Sequence, residues 1–445
     1  MKIKKASKKD IFWGYTAQFL NIGSGLIVIP FAIKYLSSVD LAFWYLFLAI
    51  SSLAQLLEFG MQPTISRMSS YVYSGAERLT AEGVPPTGSR VNYQLLYDLI
   101  SSSKRIYRIV SSAAAFILLV IGTIYLCSFG EFGAPQFYAW GVFSISCIIN
   151  LYFTYYNGLI VGRGEQLTLY KIMAFSKLIV LLVSVPLLYL EFGLMSMAIG
   201  TLLSLIANRF LISKAYYKIE RKDIKELLKI ECESINQTKI LWLSAWKLGV
   251  TSLGAFLILR TNQFVASSFL GLEIAASYGL TIQVISVLTT VSVMYFNLNL
   301  PKMNSLQGTG DKASLRSIFY FSYGITMLVF FLGAVFIILS GNFLLSIISA
   351  KTSFLSNSIL AFLFFIYQLE LSHSICATYL TTLNRVPFLY ASLISGFFII
   401  LLSILAVTLT DMGLLGILLV QFIVQLLYNN WFWPMQAFRD LRYGN

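Results

Sequence analysis

The sequence predicts an all-α polytopic membrane protein, with about twelve transmembrane helices arranged as two pseudo-symmetric six-helix bundles around a central cavity. Three observations carry that prediction. Of 445 residues, 58% are hydrophobic and only 11% charged, with a mean hydropathy of +0.77, far from the composition of soluble domains. Long apolar runs recur from one end of the chain to the other. The basic residues fall on alternate connecting segments, so a net charge of +13 points to one membrane face rather than to nucleic acid.

A span needs about 20 mostly apolar residues. On that rule the spans are 11–36, 41–63, 106–129, 134–160, 167–190, 193–212, 241–270, 274–300, 318–340, 354–380, 387–409 and 412–434. The first is too long for a cleaved signal peptide, contains Gln18 and Asn21, and runs directly into another span. With the N-terminus in the cytoplasm, the inner segments collect Lys2, Arg67, Arg105, Arg163, Lys302, Arg385 and many others. The outer loops hold Asp40, Glu131, Glu191, Glu273 and Asp411 against only Lys34 and Lys351. Both termini are therefore expected inside.

Two inner loops are long. The first, 73–104, contains a Pro/Gly break in "GVPPTGSR" and then a surface helix expected around 93–100. The second, 213–239, is highly charged, with Ile224, Leu227, Leu228 and Ile230 forming a partial apolar stripe. It reads either as a basic amphipathic helix on the inner leaflet or as a solvated linker. In both cases it divides the chain into an N-terminal bundle (1–212), a cytoplasmic linker (213–240) and a C-terminal bundle (241–445). A shift of 235 residues superposes Gly14 on Gly249, Ser51 on Ser286, Arg67 on Lys302 and Met68 on Met303, as a repeat would. Parallel repeats place substrate between the halves.

The polar residues inside the spans nominate a site. Ser51, Gln55, Glu58 and Gln62 share one helical face, as do Gln18 and Asn21 on the first span and Gln283, Ser286 and Thr290 on the eighth. Such stripes serve either helix contacts or a shared aqueous cavity. Arg260 lies on the order of 7 Å outward of its span centre, too deep to snorkel easily. Facing lipid, it would cost at least ~2.5 to 3.5 kcal/mol. Gln263 shares its face, and Lys247 lies nearer the inner end of the same span. Lys177 repeats the argument in the other half. The deep acids are Glu58 and Glu370, the latter with His373 at i+3. These carboxylates either neutralise the cations or serve as proton or sodium sites beside an anion-receiving cavity, and arginine matches phosphate well. One histidine and four scattered cysteines offer no metal-ligand or disulfide pattern, and neither metal nor cofactor is expected.

Two segments, "LLEFGMQPTISRMSSYVYSGA" at 56–76 and "NLYFTYYNGLIVGRGE" at 150–165, together with the twelve-span layout, resemble Wzx-type O-antigen and polysaccharide flippases. These belong to the multidrug/oligosaccharidyl-lipid/polysaccharide exporter superfamily. The resemblance implies a flippase that moves undecaprenyl-diphosphate-linked oligosaccharide of O-antigen, lipopolysaccharide or related polysaccharide biosynthesis from the cytoplasmic to the outer leaflet. It also implies polymerase and chain-length proteins as pathway partners. A cationic lumen would be supplied here by Lys177, Lys247 and Arg260, with sugar contacts from Gln263, Asn21, Gln55 and Gln283 and ion coupling at Glu58, Glu370 and His373. The sequence departs from the pattern in having Glu58 before Phe59 and Asn262 shortly after the arginine. The alternatives are a multidrug exporter of the same fold, which would usually have an acid-dominated cavity, and a membrane-embedded polysaccharide polymerase or glycosyltransferase. A polymerase would carry a sizeable outer loop, and a glycosyltransferase acidic metal-binding motifs.

Overall fold

A computed structural model describes residues 28–80, 90–218, 222–227, 234–309, 311–347, 349–382 and 387–443, and every regular element among them is a helix. Ten of these helices are long and apolar enough to cross a membrane. A bent pair, Thr238–Trp246 and Gly249–Phe269, is long and apolar enough only when its two parts are taken together, with a 44° bend between them. The first expected span, 11–36, lies mostly outside the described residues, and Asn21 lies there with it.

The chain divides into two compact units, one of Met1–Phe31 with Ile50–Ser252 and the other of Ala32–Ala49 with Leu253–Asn445. The division falls inside helices. Helix α1 (Ser38–Leu56) contributes its first part to the second unit and its last turns to the first.

In the first unit, the expected straight span 41–63 breaks after α1. Phe59 (φ 46°) and Gly60 (φ 68°) both adopt left-handed backbone, which is unstrained only for the glycine. Helix α2 (Met61–Tyr73) then restarts, and the Glu58 carboxylate accepts a hydrogen bond from Gln62 N at 3.2 Å, meeting one of its orphan amides. The Phe59 ring packs against Trp242, with centroids 5.6 Å apart.

The expected surface helix at 93–100 is instead the first two turns of the third span. Asn92 caps the start of α3 (Tyr93–Phe116) by accepting from Leu95 N, and helix continues to Cys127 through a π-helical turn at Ile117–Gly122. No Pro or Gly interrupts 93–116, which explains the continuity. Helices α4 (Ala134–Tyr152), α5 (Tyr155–Gly162), α6 (Gln166–Tyr189) and α7 (Leu194–Tyr216) complete the spans of this unit. Gly158 and Gly162 let α5 approach α2 closely: an added Cβ would lie 2.9 Å from Gln62 O and 2.5 Å from Ser66 O.

Of the charged linker, the described helix α8 (Lys222–Leu227) is six residues long. Among the four residues of the expected stripe, only Leu227 has a described side chain. The linker returns to α3 through Ile235 N on Asp98 Oδ1 (2.9 Å) and Gln237 N on Ser102 Oγ (2.8 Å).

The second unit contains the later part of α9 (Thr238–Phe269), then α10 (Leu272–Thr309), α11 (Lys312–Ile347), α12 (Asn357–Thr381), α13 (Leu389–Leu409), α14 (Gly413–Leu427) and α15 (Asn429–Tyr443). Small residues again set the tightest approach. A Cβ on Gly254 would meet Ser392, and one on Gly396 would meet Leu257, so α9 and α13 pack nearly backbone to backbone.

Candidate functional site

The first unit holds a buried ionic network. Glu58, at the break in the second span, accepts the Tyr107 hydroxyl at 2.5 Å in addition to Gln62 N. Arg209, on α7, bears on both groups electrostatically. Arg209 is 7% exposed, and its guanidinium is held by three side chains around the α4–α5 break. Nε and Nη2 donate to Asn150 Oδ1 at 3.0 and 2.5 Å, Nη1 to Asn157 Oδ1 at 2.9 Å, and Nη2 also to Thr154 Oγ1 at 3.2 Å. This planar fork is what arginine offers and lysine does not.

Arg209 is the deep cation that the sequence reading missed. Its signal was present in two places: Arg209 itself near the inner end of the predicted sixth span, and Asn150, Thr154 and Asn157 at i, i+4 and i+7 on the fourth. Glu58, expected either to neutralise a deep cation or to serve as a coupling site, thus has Tyr107, Gln62 N and Arg209 as polar neighbours. Lys177, on α6 of the same unit, is half-buried and its ammonium donates no hydrogen bond and forms no ion pair among the described residues. Gln55 is exposed at its position on α1.

In the second unit, Arg260 is half-buried on α9, and no hydrogen bond or carboxylate within ion-pair distance reaches it among the described residues. Its charge bears on the buried hydroxyls of Tyr278 and Tyr367. Glu370, one turn beyond Tyr367 on α12, bears on the same hydroxyl. Glu370 Oε2 lies 3.7 Å from His373 Nδ1, so the expected i+3 pair does meet, whereas Oε1 is buried with no hydrogen-bond partner among the described residues. A carboxylate oxygen in that state has coordination to offer.

The other expected residues divide. Gln263 is turned to packing: it is 6% exposed, and its amide donates to Ala275 O on α10 at 3.1 Å. Gln283 is half-buried on α10. Lys247 lies on α9, with its side chain outside the described residues. Next to Arg260, Asn262 donates to Gln421 Oε1 at 2.7 Å, and one helical face further along, Asn429 joins Gln425 and Ser395 at 2.8 Å each. This buried amide ladder was not anticipated, since amides on apolar helices give no local code for their partners.

No protein-family model and no curated protein sequence matches the chain. Solved structures do. One described as the inward-facing conformation of a multidrug resistance MATE family transporter of the MOP superfamily is 14% identical, with a TM-score of 0.72 over 96% of this chain and 95% of that one. An outward-facing conformation of such a transporter is 15% identical, with a TM-score of 0.63 over 98% and 97% of the two chains. The MATE multidrug transporter DinF-BH, solved in a complex, is 14% identical, with a TM-score of 0.64 over 97% and 95%. The chain thus has the fold of MATE-type membrane transporters. All three descriptions concern multidrug transporters, not the oligosaccharide flippases that the sequence motifs resemble.

Proposed function

We propose that the chain is a secondary exporter of the inner membrane that works by alternating access, with both termini cytoplasmic. The observation that carries this reading is a likeness over almost the full chain to transporters described in both inward-facing and outward-facing conformations. The sequence has no GxxxxGK[ST] loop, so the reading takes its free energy from an ion gradient or the membrane potential rather than from bound nucleotide. The Glu370–His373 pair and Glu58 are the proposed proton or sodium sites.

Drug export is the cargo favoured by the likeness to multidrug transporters. A specific observation favours a second cargo, the undecaprenyl-diphosphate-linked oligosaccharide: Arg260 and Lys177 are deep cations without a carboxylate within ion-pair distance among the described residues. A cation of this kind repels a cationic drug, whereas a diphosphate would be drawn to it.

Two strains separate the cargoes. In a flippase-null strain, the oligosaccharide reading expects the parent chain to restore surface polysaccharide, and Arg260→Ala and Lys177→Ala to lose it while inserting normally. In a strain stripped of its drug exporters, the drug reading expects the parent to restore ethidium efflux. Both neutral variants complementing the first strain like the parent would end the anionic-cargo reading. A parent that restores neither phenotype would end the export reading.

A further inference from the structure

At the end of the molecule that the charge pattern assigns to the outside, the loop after α11 is bonded to the chain between the first two spans. Lys351 N donates to Ile33 O at 2.9 Å, and Lys351 Nζ to Tyr35 O at 3.1 Å. Ser38 Oγ donates to Lys351 O at 3.0 Å and receives Thr352 Oγ1 at 3.3 Å. The loop is itself anchored, through Phe354 N on Asn342 Oδ1 at 3.1 Å and a left-handed turn at Ser349 (φ 51°). Lys34 and Lys351, the two basic residues of the predicted outer loops, thus flank a single contact.

The segment so held is unusual. Leu41, Ala42, Phe43, Trp44, Tyr45, Leu46 and Phe47 are consecutive, and none is more than 6% exposed, so this length of α1 is covered on every face. Tyr45 packs where a Cβ on Gly279 would come within 2.4 Å of its ring, and no side chain larger than hydrogen fits there. The segment Ala32–Ala49 belongs to the second unit, although the residues on both sides of it belong to the first.

We propose that the bonds of Lys351 and Thr352 to Ile33, Tyr35 and Ser38 form an outer clasp, which holds Ala32–Ala49 to the second unit and must release when the outer side opens. The proposal rests on the alternating-access reading. Physically, one helix cannot follow two units that move apart unless one attachment gives way. The buried stretch Leu41–Phe47 is apolar and adapts to a new apolar surface at little cost, whereas the four hydrogen bonds at its end are directional and break as a group. The clasp therefore sets how often the segment leaves.

The test uses full-length protein in which Cys127, Cys147, Cys232 and Cys376 are replaced by serine and Leu46→Cys is the reporter, labelled by a soluble maleimide in detergent. Leu46 is fully buried, and it lies two turns, about 12 Å, from Ser38. Ser38→Ala with Lys351→Ala removes three of the four bonds and is expected to raise the labelling rate about tenfold. In the opposite direction, Ser38→Cys with Thr352→Cys replaces two hydroxyls 3.3 Å apart, close enough for a disulfide of about 2.05 Å. Oxidising that pair is expected to slow reporter labelling at least tenfold, with reductant restoring it. Labelling that ignores both changes overturns the clasp, and a cysteine pair that does not oxidise overturns its geometry. Neither readout requires cargo, so a failed cargo assay and a failed clasp are told apart.

Discussion

Arg209 illustrates how a charge is made tolerable inside a span. Three uncharged acceptors surround it, and the Glu58 carboxylate supplies the opposite charge through the field rather than by direct contact. Removing a buried, hydrogen-bonded charge leaves its partners unpaired, at roughly 3 to 5 kcal/mol. We expect Arg209→Ala to lower the unfolding temperature in detergent sharply. Arg209→Lys should recover little, because one ammonium cannot serve Asn150, Thr154 and Asn157 from one point. A lysine variant as stable as the parent would show that charge alone, not the fork, matters. Arg260 stands in contrast: it has aromatic hydroxyls nearby and no ligand of its own among the described residues, which is why it, and not Arg209, is the residue proposed to meet cargo. The sequence reading nominated Arg260 and passed over Arg209, since what distinguishes them lies in which helices face them.

At the level of elements, close helix approach recurs at small residues. Gly158 and Gly162 seat α5 on α2, and Gly254 and Gly396 seat α9 on α13. Gly162→Leu would drive a side chain into Ser66 O and Ser69, and overpacking of this kind costs about 1 to 3 kcal/mol. The expected result is a poorly folded fraction in fluorescence-detected size exclusion. Full monodispersity would mean that α5 can retreat from α2. The spans themselves were readable because their apolar length is a property of consecutive residues, and Asn92 announces the start of α3. The break at Glu58–Gly60 was not, although "EFG" contains the glycine it uses. Polar periodicity alone continues smoothly through a bend, and the left-handed Phe59 packs its ring on Trp242, a partner far away in the sequence.

For the whole molecule, cargo charge has a measurable sign. Carrying two phosphate charges outward across an inside-negative membrane gains roughly 4.6 kcal/mol per 100 mV, at ~2.3 kcal/mol per charge, whereas a cationic drug is opposed by half as much. In liposomes with a potassium diffusion potential, export of a lipid-linked diphosphate should therefore quicken as the interior becomes more negative. Export of ethidium without ion coupling should slow. Composition and apolar length determined by themselves that this is a helical membrane protein, because hydrophobic length acts through the bilayer, a solvent that every residue meets alike. Only the tertiary structure decided that α1 is shared between two units, that Glu58 answers to Tyr107 and Arg209, and that Gln263 is buried with its amide on Ala275 O. Those outcomes depend on which faces meet across distant helices, and a one-dimensional pattern carries no term for that choice.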